Sequence, residues 1–169
     1  ERYAQHVRED LDGEPNARIM AYASSLRGTP SRLPVLADEM IGRDDELRVA
    51  TSLTERSDLS LLTLTGAGGT GKTRLAINVA RAVEPRVDRV WFVDLSALRD
   101  SAQVIPAIAS ACGVEPESGR DLVDGIASSL AGRRVLIVLD NFEQVVDAAG
   151  AVARLVNAAP EAKLLVTSR

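Results

Sequence analysis

Residues 66–73 read GAGGTGKT, a match to G-x-x-x-x-G-K-[ST], and no other stretch restricts the fold as tightly. The motif carries meaning only between a strand and a helix, and both flanks comply. Leu59–Thr65 is an apolar, β-branched run. Across Lys72–Val83, the residues Leu75, Ala76, Val79, Ala80 and Val83 recur at helical spacing. Gly66, Gly68, Gly69 and Gly71 lack a Cβ, so the loop they form with Ala67 and Thr70 can turn its N–H groups around phosphate oxygens. The first helical turn, through Arg74, adds unpaired N–H groups and the positive end of its dipole. Lys72 can reach the β- and γ-phosphates as a point charge, and Thr73 can offer its hydroxyl to Mg²⁺. With 12 glycines and only two lysines in the chain, chance would supply such a match roughly once in a thousand sequences.

The residues around the loop continue the alternation. Asp44 reads as the N-cap of a helix carrying Leu47, Ala50 and Leu53 on one face. Beyond the first strand and helix come a strand at 87–95, a helix at 102–112, an amphipathic helix at 121–130 and a continuous apolar strand at 135–139. A helix over 143–158 and a strand at 164–167 complete the pattern. Strand–helix alternation with apolar strands implies an α/β fold, a parallel sheet covered by helices on both faces. Residues 1–29 read instead as a short helical hairpin broken at 12–16, and 30–43 as a proline-bearing linker; 44–169 form the α/β domain.

A phosphate loop needs a carboxylate for its metal, usually at the end of a buried strand. Asp140 follows five apolar residues and fits; the other reading makes it the cap of the next helix. Its neighbour Asn141 is an amide and no base. Glu143, the nearest candidate to orient an attacking water, reads equally as a first-turn helix acid. Thr167, Ser168 and Arg169 end the last strand at the sheet's carboxyl edge, where a γ-phosphate could be sensed; arginine's fork meets phosphate oxygens bidentately. Asp94, ending the second strand, reads as metal-adjacent or, more often for such a residue, a helix cap. Trp91 and Phe92 are expected in or beside the sheet, His6 at the surface, and Cys112 as a small core residue.

Together the segments MIGRDDEL, LLTLTGAGGTGKTRLAINVA, VWFVDLSALRD, RRVLIVLDNFEQV and KLLVTSR resemble the nucleotide-binding domain of STAND-class signalling ATPases, P-loop NTPases related to the NB-ARC and AAA+ ATPases. The likeness runs over about residues 38–169 and is closest to bacterial members fused to transcriptional regulators. It implies strand order 5-1-4-3-2, of which four strands lie within this chain. By the same resemblance Ile41, Gly42 and Arg43 approach adenine and ribose, residues 66–73 cradle ATP or ADP, Thr73 and Asp140 hold Mg²⁺, and Arg169 contacts the terminal phosphate. The segment before residue 29 is similar to the end of a helical-repeat activation domain. A fifth strand, a lid and effector or sensor domains would lie beyond Arg169, and an oligomer on activation is implied.

Composition narrows the setting. Net charge is −4 with no basic cluster, which argues against nucleic-acid binding by this segment. A single cysteine, no export signal and no long apolar run point to a cytoplasmic protein rather than a secreted or membrane one. An ATP/ADP switch with slow hydrolysis is the favoured reading; an AAA+-type ATP-hydrolysing motor or loader is the alternative. A small-molecule kinase lacks an acceptor segment, and a GTPase would need D-x-x-G after Asp140.

Overall fold

The computed structural model describes residues 33–36 and 40–169. The helical hairpin expected over 1–29, with His6, and linker residues 30–32 and 37–39 lie outside the described residues. Nine principal elements follow one another: α1 (Asp44–Glu55), β1 (Leu61–Thr65), α2 (Lys72–Val83), β2 (Arg89–Asp94), α3 (Val104–Cys112), α4 (Leu122–Leu130), β3 (Val135–Asp140), α5 (Ala149–Ala158) and β4 (Ala162–Ser168). The four strands pair in parallel in the order β1-β4-β3-β2. That order is the 1-4-3-2 part of the expected arrangement.

Alternation along β3 explains the layering. Val135, Ile137 and Leu139 enter one apolar cluster with α3, α4 and α5; Leu136 and Val138 enter another with α1 and α2. Every β3 residue is buried. A continuous apolar run is what a strand covered on both faces requires. The outer strands are less covered, and Leu61 on β1 is 44% exposed. Parallel register places Asp94 beside Asp140 and Thr65 beside Ser168. The strands' polar ends therefore gather along one edge of the sheet.

Two local expectations are corrected. Asp44 does not cap α1: Arg43 occupies the cap position without a side-chain cap bond, and Asp44, Asp45 and Glu46 fill the first turn. There the acids face the positive end of the helix dipole. The segment 143–158 is not one helix. Two 3₁₀ turns, Phe142–Gln144 and Val146–Ala148, precede α5, because Val145 takes a non-helical conformation at φ −139° and ψ 37°. Val145, Ala148, Val152 and Leu155 still share the core. Their spacing of three and four residues suits successive 3₁₀ and α turns as well as one helix.

Candidate functional site

The phosphate-loop motif folds as strand, loop and helix. Gly71 precedes α2 at φ 80°, a conformation that disfavours a side chain, and supplies no side-chain cap. The opening N–H groups of α2 are thus left by their own cap for an external acceptor. Lys72 arches back over the loop, donating from Nζ to the carbonyls of Gly66 and Ala67 at 2.8 Å each. Thr70 closes the loop with a 2.8 Å bond to the Ala67 carbonyl.

Asp140, 3% exposed, sits at the end of β3 facing the start of α2. Thr73 Oγ1 donates across its carboxylate, 2.8 Å to Oδ1 and 2.9 Å to Oδ2. Thr167 Oγ1 donates to Oδ1 from β4, and Asn141 Nδ2 donates to Oδ2 at 3.1 Å. One carboxylate thus joins α2, β3, β4 and the loop after β3. Burying it without these donors would carry a large desolvation penalty.

Asn141 makes this convergence possible through an unusual backbone. Its φ of 62° is the one positive value at a non-glycine among the described residues, and asparagine enters that region more readily than most residues. Its backbone N–H reaches Thr167 Oγ1 at 3.1 Å while Nδ2 spans Asp140 and Asp94 Oδ1, the latter at 3.2 Å. Asp94 also accepts from the Ser96 N–H at 2.9 Å, closing a turn as a cap does. Burial alone would push the Asp94 carboxyl up, but the Ser96 and Asn141 donors outweigh it and hold its pKa below the ordinary value.

Beyond these, a cavity of about 400 Å³ is lined by Gly68, Lys72, Thr73, Glu143, Thr167 and Arg169, among others. Leu36 also lines it, a residue that sequence reasoning did not single out. No signal marked an isolated leucine in a proline-bearing linker. Arg169 and Glu143 form an ion pair across this cavity, Nε to Oε1 at 3.1 Å. A Cβ on Gly68 would meet the Arg169 guanidinium at 3.8 Å. The segment 41–43 divides. Ile41 is 89% exposed, while Arg43 donates from Nη1 to the Thr70 carbonyl at 2.6 Å and from Nε to Glu46 at 3.2 Å. Arg43 therefore braces the loop backbone, an attachment the motif did not foretell. Cys112 packs against the larger core, and burial pushes its thiol up to about 12, leaving it inert at neutral pH.

The parallel sheet, the glycine loop leading from β1 into a helix, and a carboxylate at the end of β3, with β4 between the two strands, define a P-loop NTPase. The family described as "AAA domain" matches residues 55–166, and the chain belongs to it. Among curated proteins, the chain is 46% identical over 110 residues to the "Putative HTH-type transcriptional regulator Rv0890c" of Mycobacterium tuberculosis. That match covers 64% of this chain and 12% of the relative. It is 32% identical over 152 residues to "Regulatory protein AfsR" of Streptomyces griseus, covering 83% of this chain and 15% of that one. The chain thus spans only a small part of these relatives' length. Among solved structures, Cdc6p from Pyrobaculum aerophilum is similar at a TM-score of 0.59 and 16% identity, over 86% of this chain and 42% of that one. This last likeness concerns the fold. Among the described residues no helix is long and apolar enough to cross a membrane.

Proposed function

We propose that the chain is the nucleotide switch of a multidomain signal-transduction or transcription-regulating ATPase, binding ADP and ATP with Mg²⁺ and hydrolysing ATP slowly. The observation that carries the proposal is the meeting of Thr73 and Asp140 beneath the glycine loop. A hydroxyl beside a carboxylate is a donor set that suits a Mg²⁺ whose other ligands are water and phosphate oxygens. The ion, held by Thr73 and Asp140, would supply charge neutralisation at the phosphates. Lys72 can exchange the carbonyls of Gly66 and Ala67 for phosphate oxygens without leaving the loop. The domain boundaries drawn from sequence belong to the same proposal, with 1–29 ending a helical-repeat domain and 30–43 linking it to the ATPase.

Slow turnover follows from what surrounds Asp140. Asn141 stands where a second carboxylate could orient water, and its amide is tied to Asp94 and Asp140. Glu143 is engaged by Arg169. A regulatory setting draws support from the names of the relatives. We place the protein in the cytoplasm, with signal sensing, effector action and activation-linked oligomerisation assigned to segments outside this chain. The net charge of −4 suits a segment that does not itself grip nucleic acid.

The test is equilibrium binding of ADP and ATP, with Mg²⁺, to the full-length protein and its Lys72→Ala variant. Loss of the ammonium should weaken binding about 100-fold, the scale of two charge-assisted hydrogen bonds. Wild-type protein that binds neither nucleotide, or a Lys72→Ala variant that binds as well as wild type, would overturn the proposal. Turnover faster than about one per second without a partner would favour the motor reading instead.

A further inference from the structure

Glu143 is only 19% exposed, and its two oxygens differ: Oε1 accepts from Arg169 Nε, while Oε2 is buried without a hydrogen-bond partner among the described residues. Arg169, 68% exposed, lies along the loop with Nε, Cζ and Nη2 each 3.8 Å from the Cβ position of Gly68. The fork formed by Nε and Nη2 therefore faces the phosphate loop, and Glu143 holds one of its two donors. Both residues line the cavity that contains Lys72 and Thr73.

Resting on the nucleotide-switch reading above, we propose that Glu143 competes with the terminal phosphate of a triphosphate for Arg169 and so sets the site's preference between ADP and ATP. A γ-phosphate that takes the Nε/Nη2 fork bidentately displaces Oε1. It also brings negative charge beside a carboxylate that is largely withdrawn from water. A diphosphate ends short of this fork and leaves the pair intact. The ion-pair cost falls on the triphosphate alone, and differential affinity of this kind is what lets nucleotide state shift a conformational equilibrium. Glu143 acts here as a positioning residue, through Arg169. Release from Arg169 leaves both its oxygens available as triphosphate binds.

The experiment measures dissociation constants for Mg–ADP and for the Mg complex of the non-hydrolysable β,γ-imido analogue of ATP. It uses the full-length protein as wild type, Glu143→Gln, Arg169→Gln and the double variant. Glu143→Gln should raise the ratio of triphosphate to diphosphate affinity about five- to tenfold, within the usual range of coupling between sites. In the Arg169→Gln background the same change should alter that ratio by less than about twofold. Glu143→Ala, which removes both oxygens, should move the ratio in the same direction and guards against a peculiarity of the amide. An unchanged ratio in both Glu143 variants, or an equal rise with and without Arg169, would overturn the proposal. Because the analogue is not hydrolysed, a role confined to water activation leaves the ratio unmoved. Failure of wild type to bind either nucleotide would instead bring down the switch reading itself.

Discussion

Of the chain's 20 basic residues only Lys72 and Lys163 are lysines, and both aim their ammonium at backbone carbonyls. A compact head with three rotatable donors reaches converging oxygens in a tight space, where arginine's planar fork would not fit. Lys163 on β4 ties down the carbonyls of Arg56 and Leu59, between α1 and β1. Burial pushes its pKa down, and nearby Asp58 opposes this. Asp94 shows how a residue outside the motif supports the site, since its carboxylate holds the Asn141 amide that braces Asp140. Its folded pKa is depressed, so its contribution to stability is complete above the unfolded value near 4 and is lost as pH falls through the folded value. Asp94→Asn should therefore be less stable than wild type at pH 7, by under about 1 kcal/mol for so exposed a group. The gap should narrow at an acid pH well below the unfolded value near 4. Urea unfolding at both pH values measures it, and a gap that widened in acid would contradict the assignment.

At the scale of elements, β3 is the strand on which both layers depend. Ile137→Ala removes buried methyl groups from a residue with no exposed surface and should cost about 3 kcal/mol. Leu61→Ala on the open side of β1 should cost under about 1 kcal/mol. Shifts in the urea midpoint at constant slope would show both. These inequalities were legible in the sequence, because a run such as VLIVL has no polar position to turn outward. The loop, α2 and the position of Asp140 were legible too, since glycines at fixed offsets and an acid at a strand end are local signals. What sequence reasoning missed depends on long-range geometry. Neither the bend at Asn141 nor the Val145 break has a distinct apolar period. The link between Asp94 and Asn141 joins residues 47 positions apart. The Arg43 brace likewise depends on where the loop passes, and an IGR triplet alone does not say which oxygen its arginine meets.

For the molecule as a whole, the consequence is that ligand binding and folding are linked. The cavity draws on α2 from one layer, on β4 from the sheet, and on the turn after β3, with Asp140 fastening these parts from within. No one of these parts forms the site alone, so a nucleotide that binds here binds the folded state and not the unfolded chain. At a free concentration one hundred times its dissociation constant, Mg–ADP should then add about 2.7 kcal/mol to folding. For a domain of this size that raises the melting temperature by about 5–10 °C. Removing Mg²⁺ with a chelator should reduce the rise, and Asp140→Asn should make it insensitive to the chelator, which differential scanning fluorimetry can follow. Hydrogen exchange would locate the effect: added protection belongs in α2, β3 and β4, which meet at Asp140. Protection confined to α4, whose own surface cavity of about 440 Å³ involves Gly113, Arg120 and Ser128, would place the nucleotide elsewhere and remove the basis for assigning Lys72 and Asp140 to it.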